Sequence, residues 1–276
     1  MPPGTARPAP ALVLFDIDGT LTRRAGPHHR QALVEAVRKV TGLETSTDHI
    51  PLHGMLDPDI LTQMMRRSGA SNAVIRRSMP RIVEEAQRIY VRTCPNLQRK
   101  RCPGARTLLE RLKRRGVLMG LVTGNLTRIG WKKVQCAGLK SYFRFGAFAG
   151  MSRDRAGLVR LAIRQARRQG WIDRNTRIFL VGDSPSDVRA AQANKIRAIA
   201  VATGISSLEE LSGFSPDLLL RDLRALKLRM LLPAIQTVGM ERSKNRVQTA
   251  ICKSSKWCQS PVFAPVVSVS EWQMLL

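Results

Sequence analysis

A doubly wound α/β sheet with an all-helical insertion is the architecture the sequence predicts, on three observations. Short apolar runs recur along the chain, helical patterns alternate with most of them, and one long stretch after the first run is helical throughout. Apolar runs without polar alternation fit strands covered on both faces, as in a parallel sheet. Strand alternating with helix is the pattern of a doubly wound layer.

The first strand is "ALVLF" (11–15), and later ones are "GVLMGLV" (116–122), "RIFLV" (177–181), "IRAIAVA" (196–202) and "DLLL" (217–220). Between them, "GARTLLERLKRRG" (104–116) puts Leu108, Leu109 and Leu112 on one face and stops at Gly116. "GLVRLAIRQARRQG" (157–170) repeats the pattern with Leu158, Leu161, Ala162 and Ala166, and "SDVRAAQAN" (186–194) opens on a capping Ser. From 27 to 96 every strong pattern is helical, including "HHRQALVEAVRKVTG", "DPDILTQMMRRSG" and "MPRIVEEAQRIYVRTC". The division that follows is an arm (1–10), a core in two parts (11–26 and 97–226), the helical insertion (27–96) and a basic, partly disordered tail (227–276).

Composition narrows the class. A chain of 276 residues, 43% hydrophobic, can bury a sizeable core. No run approaches the roughly 18 apolar residues of a membrane span, so no membrane partner is expected. Five cysteines without a C-x-x-C pair read as free thiols in a reducing, cytoplasmic setting. The net charge of +26 attracts nucleic acid, anionic membrane surfaces or anionic small substrates. The arginines are spread along the chain at helical spacing with few aromatics, so solvated helix faces are favoured over a dedicated nucleic-acid surface.

Chemistry collects at three strand ends. "ALVLFDIDGTLT" ends in Asp16 and Asp18, "LVTGN" brings Thr123, Gly124 and Asn125, and "LVGDSPSD" brings Asp183 and Asp187. Ligands of open parallel sheets bind beyond the carboxyl ends of the strands. Acids gathered there need neutralising, and Mg²⁺ suits such oxygen donors and shares its shell with phosphate. Asp16 and Asp18 would share a face if the strand continued, but Gly19 lets the backbone turn, so the two can take separate nucleophile and acid/base roles. A calcium loop of the D-x-D type is excluded. It needs Gly sixth and Glu twelfth, and counting from Asp16 these places fall elsewhere: Gly19 is fourth and Pro27 twelfth.

Across residues 11–226, "FDIDGTLT", "LVTGN", "LVGDSPSDVRAAQAN", "AIAVATG" and "GFSPDLLLRDL" resemble the haloacid dehalogenase (HAD) superfamily, in particular its phosphoglycolate phosphatase-like members. The resemblance implies a Rossmann-like core with a helical cap between the first two motifs. It implies a phosphatase in which Asp16 attacks phosphorus to form an aspartyl-phosphate. Asp18 would then protonate the leaving oxygen and later activate water. Thr123, with nearby backbone N–H groups of Gly124 and Asn125, would hold phosphoryl oxygens. Asp16, the Asp18 carbonyl and Asp183 would ligate Mg²⁺, with Asp187 in support. Asp18 also separates this chain from the hydrolytic dehalogenases, which lack it, although a phosphomutase would keep it.

One position departs from the family pattern, which places a Lys in the third motif. Here "GMSRDRAGLVRLA" offers Arg155, which can clamp phosphate bidentately. Lys132, Lys133 and Lys140 lie on or after a helix and are expected to face solvent, and alanine at any of them to be nearly silent. In "PLHGMLDPDIL" (51–61), His53, Met55 and Asp57 could face the site, but Asp57 is read as a helix N-cap. His28 and His29 are read as solvated. The leading expectation is a Mg²⁺-dependent phosphatase of a small phosphorylated metabolite. The alternatives are a phosphomutase and a basic nucleic-acid-associated protein on the same fold.

Overall fold

The computed structural model describes residues 8–23 and 26–232. Ala11–Phe15 form β1, fully buried. Three helices follow: α1 (His28–Thr41), α2 (Asp57–Arg67) and α3 (Asn72–Thr93). The chain then alternates through α4 (Ala105–Arg114), β2 (Leu118–Leu126), α5 (Thr127–Cys136), β3 (Phe145–Ala149) and α6 (Arg155–Arg168). It continues with β4 (Arg177–Gly182), α7 (Pro185–Ala193), β5 (Arg197–Val201), α8 (Leu208–Ser212), β6 (Leu218–Leu220) and α9 (Leu228–Leu231). The six strands form one sheet in the order β3-β2-β1-β4-β5-β6, with every pairing parallel. This is the doubly wound order that reverses beside β1, and the crevice at such a reversal is where ligands bind.

The period-two alternation of β1 feeds two cores. Leu12 and Leu14 pack with α6 and α7 through Leu158, Ala162 and Val188, in a cluster that also takes in Leu33, Leu61 and Tyr90 of α1–α3. Ala11, Val13 and Phe15 pack with Leu108, Leu109 and Leu112 of α4 and Val134 of α5 on the opposite face. Each such buried Leu, Val or Phe side chain stabilises the fold by about 1.5–3 kcal/mol.

Differences from the sequence expectation are local. β3 was not among the anticipated strands; it is an edge strand whose "FGAFA" gains its order by pairing with β2. β2 runs on to Leu126, through Thr123, Gly124 and Asn125, with a register shift against β3 between Thr123 and Leu126. α3 begins at Asn72, where the Ser71 hydroxyl caps it by accepting from the Val74 N–H, and it carries Pro80 inside. The core also passes the expected start of the tail: Leu231 of α9 is fully buried in the second cluster, beside Leu226. The remainder of the anticipated tail lies outside the described residues, as do residues 1–7 of the arm. Among the described residues, no helix is long and apolar enough to cross a membrane.

Candidate active site

The carboxyl ends of β1, β2 and β4 meet at a cavity of about 740 Å³, whose walls include Asp16, Asp18, Thr123, Asn125, Arg155 and Asp183. That volume suits a small ligand. Asp16 follows β1 directly and its N–H donates to the Val181 carbonyl of β4 at 3.0 Å, which fixes the carboxylate between the two strands. The backbone then turns at Gly19, with φ at +84°. Glycine is required there for space as well as for φ, since a Cβ would overlap the Asp183 carboxylate. Gly204 and Gly182 make room in the same way for Asp183 and Asp187.

One oxygen each from Asp16, Asp183 and Asp187 lies within 4.8 Å of the others, and all three residues are buried. Asp183 is oriented by the Thr20 hydroxyl at 3.1 Å and faces His53 Nε2 at 3.1 Å. Asp187 belongs to a capping box at the start of α7, accepting from the Ser184 hydroxyl at 2.6 Å through Oδ2. Its Oδ1 is a buried atom with no hydrogen-bond partner. Three buried carboxylates with converging oxygens carry more negative charge than the one guanidinium beside them balances, and a hard divalent cation would neutralise the rest, so the donor set fits such an ion. Burial pushes the Asp16 carboxyl up to about 6, with Asp187 and Asp18 adding to the rise and Arg155 opposing it.

Arg155 opens α6 and is 8% exposed. Its Nη1 donates to Asp16 Oδ1 at 3.0 Å and lies 3.2 Å from Asp187 Oδ1. The guanidinium thus bridges the two acids beside the cavity.

The second acid has a different setting. The Asp18 side chain accepts from Asn125 Nδ2 at 2.8 Å and from Lys133 Nζ at 2.5 Å. Lys133 also donates to Asn125 Oδ1 at 2.6 Å, and its ammonium lies over the Tyr90 ring. Burial would raise the Asp18 carboxyl, but Lys133 first, then His29, more than offset it and hold it below the usual carboxylate range. Asn125 Nδ2 also donates to the Thr123 hydroxyl at 2.7 Å, so Thr123 and Asp18 are positioned through one amide.

Lys133 corrects the sequence reading: it is 1% exposed and turned into the site, whereas Lys140 is exposed and Lys132 half-buried. Helical spacing held the signal, because Lys133 falls on the face of α5 that buries Ile129, Gly130 and Val134. His29 is likewise no solvated loop residue. It lies in α1, with Nδ1 3.1 Å from Lys133 Nζ and Nε2 3.1 Å from Asp57. Nor is Asp57 an N-cap; that place is taken by Leu56 without a side-chain bond. The buried Asp57 carboxylate instead accepts from the Leu126 N–H at 2.8 Å, satisfying a donor at the end of β2. The Met55 carbonyl packs so closely on Gly124 that a Cβ there would overlap it. The segment before α2 therefore seats directly on the end of β2.

A family model described as haloacid dehalogenase-like hydrolase matches residues 13–192. A protein of Synechococcus elongatus named phosphoglycolate phosphatase is 27% identical over 219 residues, covering 75% of this chain and 91% of its own. A Pseudomonas putida protein of the same name is 26% identical over 263 residues, covering 92% of each. Among solved structures, a predicted phosphoglycolate phosphatase from Haemophilus somnus superposes with a TM-score of 0.58 at 18% identity, covering 80% of this chain and 96% of its own. A β-phosphoglucomutase from Clostridium difficile superposes with a TM-score of 0.59 at 18% identity, covering 80% and 95%. At that identity the two structures share the fold with this chain.

Proposed function

The chain belongs to the haloacid dehalogenase-like hydrolase family, and from that premise we propose a Mg²⁺-dependent phosphatase of small phosphate esters that works through an aspartyl-phosphate. The observation that carries the reading is the separation of two acids: Asp16 paired with Arg155, and Asp18 held apart by Lys133 and Asn125. Two carboxyl groups in unlike environments can serve as nucleophile and as acid/base.

In the first half-reaction an Asp16 oxygen forms a bond to phosphorus as the ester P–O bond breaks; the negative charge of the bound phosphate raises the Asp18 carboxyl from its low resting range, so that it carries the proton it gives to the departing oxygen. In the second, Asp18 takes a proton from water as that oxygen bonds to phosphorus and the Asp16–phosphorus bond breaks. Arg155 balances negative charge as it moves between Asp16 and the phosphoryl oxygens. Thr123 and the adjoining backbone N–H groups of Gly124 and Asn125 hold those oxygens. Mg²⁺, when bound among Asp16, Asp183 and the Asp18 carbonyl, with Asp187 supporting, would screen the charge of phosphate from that of the nucleophile.

We read the segment holding α1–α3 as the cap, with Leu33 of α1, Ile60 of α2 and Leu52 between those helices forming one wall of the cavity. A cavity of this size favours a small metabolite, and relatives named phosphoglycolate phosphatase favour hydrolysis over a mutase reaction. Phosphoglycolate is the substrate we put first. Its carboxylate suits the cationic wall that Arg23 and Arg30 add to the cavity. Cys94, Cys102 and Cys136 are free thiols, which supports a reducing, cytoplasmic setting. Phosphate release from a panel of small esters with Mg²⁺ tests the reading. 2-Phosphoglycolate should rank at or near the top, and inertness toward every ester would overturn it.

A further inference from the structure

A second cavity, of about 670 Å³, opens at the opposite end of the sheet from the active site, and seven arginines and one lysine line it. Arg160, Arg164, Arg167 and Arg168 come from α6, at spacings that share a face. Arg174 comes from the following loop, Arg177 from the first position of β4 and Arg197 from the first position of β5, with Lys195 just before it. All eight side chains are exposed, and among the described residues none makes an ion pair or a side-chain hydrogen bond.

No acidic residue lines the cavity. Asp173, the acid nearest in sequence, accepts bonds from Thr176 and the Asn175 N–H. The carboxyl end of α6 contributes a partial charge of only about −0.5, which Arg167 and Arg168 already offset. The remaining cations repel one another, and among the described residues no acid lines the cavity to relieve them. Along the sequence the net charge is evenly dispersed, but folding gathers part of it here.

We propose that this groove binds the phosphate backbone of a nucleic-acid duplex without reading its bases. Further cations stand along the same end of the sheet: Arg115 leads into β2, and exposed Arg144 precedes β3, stacked 4.3 Å over Trp171, while β1 between them and the cavity adds none among the described residues. From β3 to β5 is four inter-strand steps, about 19 Å at roughly 4.8 Å each. A track of that length matches about five or six successive phosphates of one strand at about 3.4 Å of axial rise. A compact oligophosphate would fill only part of it. No aromatic side chain lines the cavity, and the ring of Trp171 beyond it is already covered by Arg144, so the open stacking platform that single strands use is missing and a duplex is the better fit.

The test is fluorescence anisotropy of the full chain with a labelled, hydroxyl-ended DNA duplex of roughly two helical turns, titrated across salt concentrations. The key variant is R164Q/R167Q/R177Q/R197Q, whose positions are all exposed; folding is checked by circular dichroism. The control is R76Q/R77Q/R81Q/R92Q, an equal charge change on exposed positions of α3. The groove variant should lose at least ~10-fold in affinity at low salt. Its log–log salt slope should shrink by about 3–4, at about 0.9 for each phosphate it no longer neutralises. The control should keep the wild-type slope to within about one unit. D16N should bind as wild type, since the groove is independent of the catalytic centre. Equal losses in the groove and control variants would show attraction by net charge alone and overturn the proposal. Loss of binding in D16N, or full competition by equimolar nucleoside triphosphate, would overturn it equally.

Discussion

Lys133→Met removes the ammonium from the active site while keeping most of the buried stem. In the folded protein that ammonium makes two charge-assisted bonds, 2.5 Å to Asp18 and 2.6 Å to Asn125. Bonds to charged groups contribute about 1.5–3 kcal/mol each when desolvated. The Asp18 side chain is 37% exposed, so water screens and partly replaces the lost partner. The lower part of the range therefore applies: about 1.5–2 kcal/mol of transition-state stabilisation, or roughly 10–30-fold in kcat. Lys133 acts through Asp18 and Asn125, so a double-mutant cycle isolates its role. In an Asp18→Asn background the same substitution should cost less than ~3-fold, because the group it positions has already lost its acid/base function. Lys133→Arg should recover only part of the loss, since the guanidinium is too broad for a site built around a compact ammonium. Steady-state phosphate release, with circular dichroism to confirm folding, measures each of these variants beside the wild type. An unchanged kcat in Lys133→Met, or an undiminished cost in the Asp18→Asn background, would show that Lys133 does not act through Asp18.

Arg155→Ala should lower kcat/KM by about 3 kcal/mol, more than a hundredfold, as expected for a lost preorganised donor; Arg155→Lys should restore part of it, and equal rates in all three proteins would dismiss the bridging role. Gly124→Ala should push the Met55 carbonyl off the end of β2, costing about 1–3 kcal/mol of stability in a thermal melt and lowering turnover with it. Calcium should replace magnesium poorly in phosphate release, because its larger, looser shell places the reacting oxygens less tightly; equal rates would argue against the assigned donor set.

Much of this was legible before folding. The apolar runs locate five strands because burial on both faces leaves continuous hydrophobic sequence, and Asp16, Asp18, Asp183 and Asp187 stand out as acids at the ends of such runs. β3 escapes that test, since Gly146 and Ala147 between two phenylalanines give weak strand propensity; pairing along β2 supplies the order. Lys133 and His29 escape for another reason. Lysine and histidine in a helix ordinarily signal solvent, and only the helical phase, with Ile129 and Val134 beside one and Ala32 and Leu33 beside the other, marks them as inward-facing. Asp57 illustrates a third limit. An acid at a helix start reads locally as a cap, while the donor it satisfies, the Leu126 N–H, is 69 residues away. Local propensity cannot register a partner that only the tertiary fold supplies.

The central claim is that Asp16 is the nucleophile of a phosphatase. Its most direct measurement is Mg²⁺-dependent phosphate release from 2-phosphoglycolate by the wild-type chain beside Asp16→Asn, with folding of both verified. The account predicts turnover by the wild type and none above background for Asp16→Asn, because the carboxamide is too poor a nucleophile to form the acyl phosphate. Turnover by Asp16→Asn at the wild-type rate would contradict it.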